Sequence, residues 1–532
     1  MTDRHQALLA RPDFQLDTAA ANGEYGMYTN DLTTITELKG LLEGVQFRLG
    51  MDGMLYAWLM RDDRPVTYPV YSPEFMTWFR GEAASHFCSI PSPKAMEQAI
   101  KETEYSVRSK NLPYPVAFRV HAEESAALVD LGNGKALVIE ASGTTKEIDS
   151  GIIFPTRANN QMLPDPESAG VLEILPELLD LSVDQCRLAV IWLMSLFQQD
   201  GRYPILIIIG PRQSGKTRLA RNIRRLIDPH TLPLLPLSKG RDELKEAVLD
   251  NAILAFDKVG KIPDGVADDL LALAEGTALS LPGRVGTALH KRPTILVCEE
   301  LPDAPALMEN AIILRLKERP AIKVKDKSSL DRLFDKHHAK AFGSLVRLCS
   351  QAFGHLKAVE LQTVLKNADL EKWILAVDKG LGLEGELMIA FANNLEEALS
   401  SIIHERPAVR AFQALVKAQG SVTATATQLL DQIEPFLEGP KDARYPSSGK
   451  ALAKLLRDHK RFMTAIEIEF DVRTGKDRDR NIVATWQSTQ VQSDIVAAAT
   501  SPAKAAAKNA SAKVAAKPMK GVAKAQTQPA FL

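Results

Sequence analysis

"YPILIIIGPRQSGKTRLARNIRRLIDP", residues 203–229, sets a short apolar run against a glycine-bounded loop and then a stretch of helical spacing. Residues 205–209 are all Ile or Leu, the composition of a strand buried on both faces of a parallel sheet. The next eight residues, 210–217, fit the pattern G-x-x-x-x-G-K-S/T, whose glycines let the backbone curl until its N–H groups face a phosphate. In that pattern Lys216 reaches the β- and γ-phosphates and the Thr217 hydroxyl ligates magnesium. A helix from Arg218 to about Ile227 would point the positive end of its dipole at the same anion. Gly210, Pro211, Arg212, Gln213, Ser214, Gly215, Lys216 and Thr217 are therefore the candidate nucleotide-binding residues, with ATP and Mg2+ as the expected ligands.

Such a loop needs a second strand that ends in an acid. "AILAF", residues 252–256, is followed by Asp257, about 40 residues beyond Thr217. Asp257 is the expected partner of Thr217 in holding magnesium, and Lys216 and Asp257 are the candidate catalytic residues. The next residue is Lys258, which reads either as a surface lysine beyond the strand end or as a cation that moves with nucleotide state.

A chain of 532 residues is too long for one core, and roughly three domains are expected. With 45% hydrophobic and 25% charged residues it has the composition of an ordinary globular protein. Cys88, Cys186, Cys298 and Cys349 lie far apart with no CxxC pair, which suggests neither a zinc ribbon nor a disulfide framework and fits a reducing cytoplasm. The first residues lack the apolar stretch of a signal peptide, and "LAVIWLMSLF", residues 188–197, is too short to cross a bilayer. Residues 501–532 hold six lysines and no acid in an Ala/Lys/Pro mixture, expected to be a disordered cationic tail. It reads as a solubilising extension or as a tether to phosphate backbones through counterion release.

"GPRQSGKTRLARNIRRLIDP", "LDNAILAFDKVGKIPDGVADDLLALAEG" and "KRPTILV" resemble, in order and spacing, the superfamily 3-like AAA+ ATPases of phages and integrated mobile elements. "FRLGMDGMLYAWL" with "YSPEFMTWFRGEAA" is similar to the small domain that precedes the ATPase in that family. "LEKWILAVDKGLGLEGELMIAFANN" with "GSVTATATQLLDQI" is similar to its helical segment and C-terminal module. The resemblance covers about residues 45–490. It implies an α/β fold: a P-loop NTPase (AAA+-like) core with an α+β N-terminal domain, a helical segment and a C-terminal winged-helix-like module. The expected boundaries are an extension over 1–45, the α+β domain over 46–170, the ATPase core over 171–325, helices over 326–415, the winged-helix-like module over 416–490 and the tail over 491–532.

The departures from that family fall together. Its magnesium aspartate is usually followed by asparagine, where this chain has Lys258. Its next strand usually ends in an asparagine that senses the γ-phosphate, where this chain has Val297 and Cys298; and Asn310 stands where the family carries an arginine finger. The loop within "EGTALSLPGRVGTALHKRP" is shorter than the family's DNA-contacting hairpin. Each missing part acts on the transition state more than on binding. Glu299 or Glu300 as orienters of water, and Arg284, Arg315 or Arg319 acting across a subunit interface, are the available replacements; an ion-pair role is the competing reading for each.

Residues 46–165 alternate strand-like pieces ("GMLYAWLM", "YPVAFRVHA", "KALVIEAS") with one helical stretch around 92–106 and a turn at "GNG", 132–134. They offer no metal cluster and no paired carboxylates, and read best as a docking or oligomerisation domain. His337 and His338 are adjacent on a helical pattern, point apart, and so do not suggest a metal site. In 420–490, "SSGKALAKLLRDHKRF" predicts a serine-capped helix on which Lys450, Lys454 and Arg457 share a face; with Arg284 they are the candidate DNA-binding residues. From Glu438 to Trp486 there are 11 Lys/Arg against 8 Asp/Glu, so a solvated charged face is the alternative.

Two functions follow from the resemblance. One is an ATP-binding DNA-replication protein, a helicase or translocase working as a ring-shaped homo-oligomer in the cytoplasm of a bacterial host, with DNA and a primase as partners. The other is a nucleotide-binding, DNA-associated loader or assembly factor whose ATPase is weak or lost. A small-molecule kinase is disfavoured because nothing resembles an acceptor pocket.

Overall fold

The computed structural model describes residues 32–486 apart from 88–89, 111, 238–240, 281–286, 303, 319–326, 362–366, 405, 439–440, 442–444, 464–467 and 475–479. Two compact units emerge, one of residues 1–302 and 314–354, the other of 303–313 and 355–532. The tail of 501–532, Arg284 and Arg319 lie outside the described residues.

The first unit opens with helix α1 (Leu32–Leu42) and an antiparallel sheet of β1 (Gln46–Leu49), β2 (Leu55–Arg61) and β3 (Arg64–Pro69). Helices α2 (Pro73–Phe87) and α3 (Pro93–Lys110) follow, and Phe75, Phe79 and Ala83, spaced four apart, carry α2 into the core. The sequence pattern predicts a helix only for the third of these. A second antiparallel sheet runs β4 (Val120–Ala122), β5 (Ala126–Asp130), β6 (Ala136–Glu140) and β7 (Gly143–Glu147) in sequence order. Only the last three residues of "YPVAFRVHA" form a strand: Pro115 has no N–H to give a ladder, and Tyr114 and Val116 make isolated bridges instead. The "GNG" turn is as expected, with Gly132 and Gly134 at φ 75° and 79°.

The rest of this unit is an α/β layer. Helix α4 (Val171–Leu179) leads to α5 (Val183–Ser195), whose first turn is capped by Ser182 and which buries most of the apolar run 188–197. Then come β8 (Ile205–Ile209), α6 (Lys216–Ile227), β9 (Leu235–Pro236), α7 (Arg241–Asp250), β10 (Leu254–Val259), α8 (Asp264–Glu275), the hairpin β11 (Thr277–Ser280) and β12 (Thr287–His290), and β13 (Thr294–Cys298). Strands β8, β13, β10 and β9 pair in that order, all parallel. The crossovers place helices against the sheet, which is why β8 and β13 are buried along their whole length. Beside β8, the Leu316 N–H donates to the Ile209 carbonyl at 2.8 Å. Helix α9 (Lys327–His355) completes the unit.

In the second unit, Asn394 brackets one residue, Ile313: its Oδ1 accepts from Ile313 N–H and its Nδ2 donates to Ile313 O, both at 2.8 Å. Helices α10 (Ala368–Gly380) and α11 (Glu386–His404), which holds Asn394, precede α12 (Pro407–Gln419), β14 (Ser421–Thr425), α13 (Ala426–Ile433), α14 (Gly449–Asp458), β15 (Ile468–Thr474) and β16 (Arg480–Trp486). The sheet order is β14-β16-β15, antiparallel throughout. Phe412, Leu429, Leu452, Leu456, Phe470 and Ile482 close a core between this sheet and the helices. A capping box starts α13, with Thr425 and Gln428 satisfying each other's backbone N–H. Among the described residues no helix is long and apolar enough to cross a membrane.

Candidate functional site

The loop between β8 and α6 is shaped by backbone conformations that few side chains adopt. Gly210, Gln213 and Gly215 have φ of 153°, 63° and 94°. A Cβ on Gly210 would meet the Leu316 carbonyl oxygen at 2.5 Å, so glycine is required there by both angle and space. Ser214 is buried and its hydroxyl has no hydrogen-bond partner, an unmet polar group at the base of the loop. The Lys216 ammonium donates to the carbonyls of Gly210 at 2.6 Å and Pro211 at 2.7 Å, which holds it across the loop. Neutral carbonyls are weaker partners for an ammonium than a phosphate oxygen, so an anion there would take the lysine over.

Asp257 stands opposite, at the carboxyl end of β10. Its Oδ1 accepts from the Thr217 hydroxyl at 3.2 Å and from the Lys258 N–H at 2.9 Å. The structure thus brings Thr217 and Asp257 together, next to the loop across which Lys216 is held. A hydroxyl and a carboxylate side by side are the hard oxygen donors that suit Mg2+. Together with the unmet Ser214 hydroxyl and the tight Gly210 corner, these residues fit a metal-bound nucleotide phosphate.

The residue after the acid is unusual. In the β10–β13 register Phe256 faces Leu296 and Val259 faces Cys298, so Asp257 and Lys258 together oppose Val297. This is a bulge in a parallel pair, and Lys258 takes the left-handed conformation at φ 54°. For a lysine that conformation costs about 1 kcal/mol or more. Lys258 is exposed and, with Thr217 and Asp257, lines a cleft of about 770 Å³ that also takes in Arg221, Lys261 and the Pro233–Leu237 wall. Arg221 and Lys261 were not singled out by sequence; the available signal was that Arg221 lies one helical turn beyond Thr217.

Cys298, in the place of a sensing amide, is buried, and burial pushes its thiol up to about 12 against the opposing field of Lys216. The end of β13 thus presents a neutral thiol. Glu299 pairs with Arg212 of the loop at 3.0 Å, an exposed pair of small energetic weight. The Arg315 carbonyl accepts from Gln185 Nε2. In the second unit, Asn310 Nδ2 donates to the Ala306 carbonyl at 3.1 Å.

The far end of α6 is tied differently. Asp228 is fully buried: Arg224 donates to its Oδ2 at 3.0 and 3.1 Å, and Arg119 of the preceding α+β part donates to its Oδ1 at 3.3 Å. Burial pushes this carboxyl up, but the fields of Arg224, Arg119 and Arg157 together outweigh burial and hold it below the usual carboxylate range. Arg119 also donates to the carbonyls of Asp130 and Gln161, each at 2.9 Å, and Arg224 to Asn251 Oδ1 at 2.9 Å. Arg157 and Arg292 lie over the Phe118 ring, 4.5 and 4.0 Å from its centre. Against the last turn of α6 sits His338, buried and tilted at 45° against the Phe334 ring; burial and then Arg225 pull it down to about 4. No cluster of three or more His, Cys, Asp or Glu that could hold a metal is present among the described residues, and His337 and His338 belong to none.

In the second unit Lys450, Lys454 and Arg457 are all exposed on α14, while Leu452 and Leu456 on the other side are buried. Ser448 caps this helix, accepting from Ala451 N–H at 3.2 Å. Gly449 lets it lie close on α13, since a Cβ there would meet Thr427 N at 2.6 Å.

Two family models match consecutive parts of the chain. Residues 173–397 match the actinomycete integrative conjugative element replication protein, and residues 408–501 match the AICE RepA C-terminal domain. The chain is a relative of mobile-element replication proteins. No curated protein matches it. Among solved structures it is similar to the apo NrS-1 C-terminal region (12% identity, TM-score 0.36, 85% of this chain and 99% of that one). It is also similar to SCCmec type IV Cch, an active helicase (10% identity, TM-score 0.42, 85% of this chain and 94% of that one). JCV helicase is a third (16% identity, TM-score 0.22, 40% of this chain and 67% of that one).

Proposed function

We propose that this replication-protein relative binds ATP through residues 210–217 and acts on DNA as a helicase or translocase of the superfamily 3 AAA+ kind. The observation that carries this is the 3.2 Å approach of Thr217 Oγ1 to Asp257 Oδ1 beside a glycine-cornered loop. A loop of this kind alone would hold many anions; the hydroxyl and carboxylate beside it add the two protein oxygens that a phosphate-bound Mg2+ uses. Bound there, Mg2+ would neutralise charge on the phosphate oxygens. Lys216 would exchange its two carbonyl partners for phosphate oxygens, and the N–H groups of the loop and of the first turn of α6 would hold the rest.

The three cations of α14 and the order helix, strand, helix, helix, strand, strand over α12–β16 support a winged-helix-like module that meets a phosphate backbone. On this reading the protein works in the host cytoplasm as a ring, with ATP between subunits, DNA as substrate and a primase as a candidate partner. A second reading, a loader or assembly factor with weak hydrolysis, is favoured by the neutral Cys298 thiol at the end of β13, which offers no amide to sense the γ-phosphate.

ATP turnover with and without single-stranded DNA separates the two, comparing the wild type with Lys216→Ala and Asp257→Ala. DNA-stimulated turnover lost in both variants supports the motor. Tight ATP binding with turnover no higher than in the variants selects the second reading, and no ATP binding at all removes both.

A further inference from the structure

The Lys258 ammonium has no acid partner among the described residues, nor do the side chains of Arg221 and Lys261 in the same cleft, whose lining contains a single carboxylate, Asp257. The backbone arrangement makes this more than a surface charge. Asp257 and Lys258 occupy a bulge, the Lys258 N–H is pinned to Asp257 Oδ1 at 2.9 Å, and the left-handed φ of 54° turns residue 258 out of the strand at the point where the cleft meets Thr217. Asparagine or glycine would take this conformation at lower cost, so lysine here carries a backbone penalty. A flexible ammonium held beside the metal-binding acid is suited to a phosphate oxygen, for which lysine serves as a mobile point charge.

We infer that Lys258 is a cation for the terminal phosphate of the nucleotide, supplied by the same subunit. The inference rests on the proposed ATP site and goes further, since it assigns a phosphate contact to Lys258, the residue that follows the acid. Lys258 discriminates a nucleoside triphosphate from a diphosphate: it meets the γ-phosphate and has nothing to meet in its absence. In hydrolysis, water attacks the γ-phosphorus, the bond to the β,γ-bridging oxygen breaks with its electron pair going to the diphosphate nucleotide, and the products are that nucleotide, inorganic phosphate and a proton released to solvent; Lys258 offsets negative charge on the γ oxygens throughout.

The test is the ratio of ATP to ADP affinity, measured by calorimetry on the full chain with magnesium present. The variants are Lys258→Asn and Lys258→Gly, both compatible with the positive φ, and Lys258→Arg, which keeps the charge. The expected result is that Asn and Gly weaken ATP binding about 10-fold, leave ADP binding within about 2-fold, and that Arg restores most of the preference. Wild-type ATP-to-ADP ratios in the Asn and Gly variants would overturn the inference and leave the nucleotide site standing. Failure of the wild type to bind either nucleotide would instead remove the site and this inference with it.

Discussion

The two ends of helix α6 are built on opposite principles. At its N-terminus the loop of 210–217 is half open to solvent, and its form comes from residues within a few positions of one another: three positive φ values, two glycines and a lysine that folds back on carbonyls five and six residues earlier. At its C-terminus Asp228 is sealed from water and held by Arg119, 109 positions away, and by Arg224, which also reaches Asn251, 27 positions on. One end can change partners, because its donors are exposed and neutral acceptors are easily displaced. The other cannot, since breaking a buried pair strands a charge in a medium that does not solvate it. A helix that presents the candidate nucleotide loop at one end is thereby clamped at the other.

Breaking the clamp is expected to have the largest effect. Asp228→Ala leaves Arg224 buried without its carboxylate and Arg119 with only Asp130 at 3.9 Å, and should lower unfolding free energy by about 3–5 kcal/mol in a denaturant titration. A loss below about 1 kcal/mol would mean that the clamp contributes specificity and little stability.

Acid should loosen the same end in two stages. His338 is neutral in the fold, down at about 4 from an ordinary 6.5, so between those pH values the unfolded chain takes a proton that the folded one does not. Stability then falls as pH drops through this window, by about 1.4 kcal/mol per pH unit at most. Asp228, held below the usual range, contributes stability that is present above about pH 3.9 and is lost only as pH falls further. Melting temperatures of the wild type and His338→Leu between pH 7 and 4 should converge in slope only above about pH 6.5; parallel curves throughout would remove His338 as the cause.

At the loop end the effects on stability should be smaller. Gly210→Ala forces a methyl to within 2.5 Å of the Leu316 carbonyl, for an expected cost of about 1–3 kcal/mol together with loss of nucleotide binding. Lys216→Ala removes a half-exposed side chain and should leave the unfolding midpoint within about 0.5 kcal/mol of wild type while weakening ATP binding about 10-fold or more. If Lys216→Ala proved as destabilising as Asp228→Ala, the contrast between the two ends would collapse.

Sequence reached the loop end and missed the clamp for the same reason. The strand of 205–209, the glycines at 210 and 215, and an apolar run ending at Asp257 are local patterns, and local backbone chemistry turns them into a strand, a curled loop and a second strand with its acid. The same locality predicts a serine-capped α14 carrying Lys450, Lys454 and Arg457 on its open side. Arg119, Arg224 and Asp228 give no such signal, because arginine and aspartate in a sequence look alike whether they meet water or each other. The short β4 escaped for a related reason: a proline without a donor shortens it.

By itself the sequence determined that a phosphate-binding pattern is present and which acid could face it, since both depend on residue types at fixed short spacings. Only the tertiary structure decided that Thr217 and Asp257 meet, that Lys258 is swung out by a bulge into a cleft with Arg221 and Lys261, and that α6 is anchored through Arg119. Each of those facts depends on strand register or on burial, and both are settled by neighbours distant in the chain.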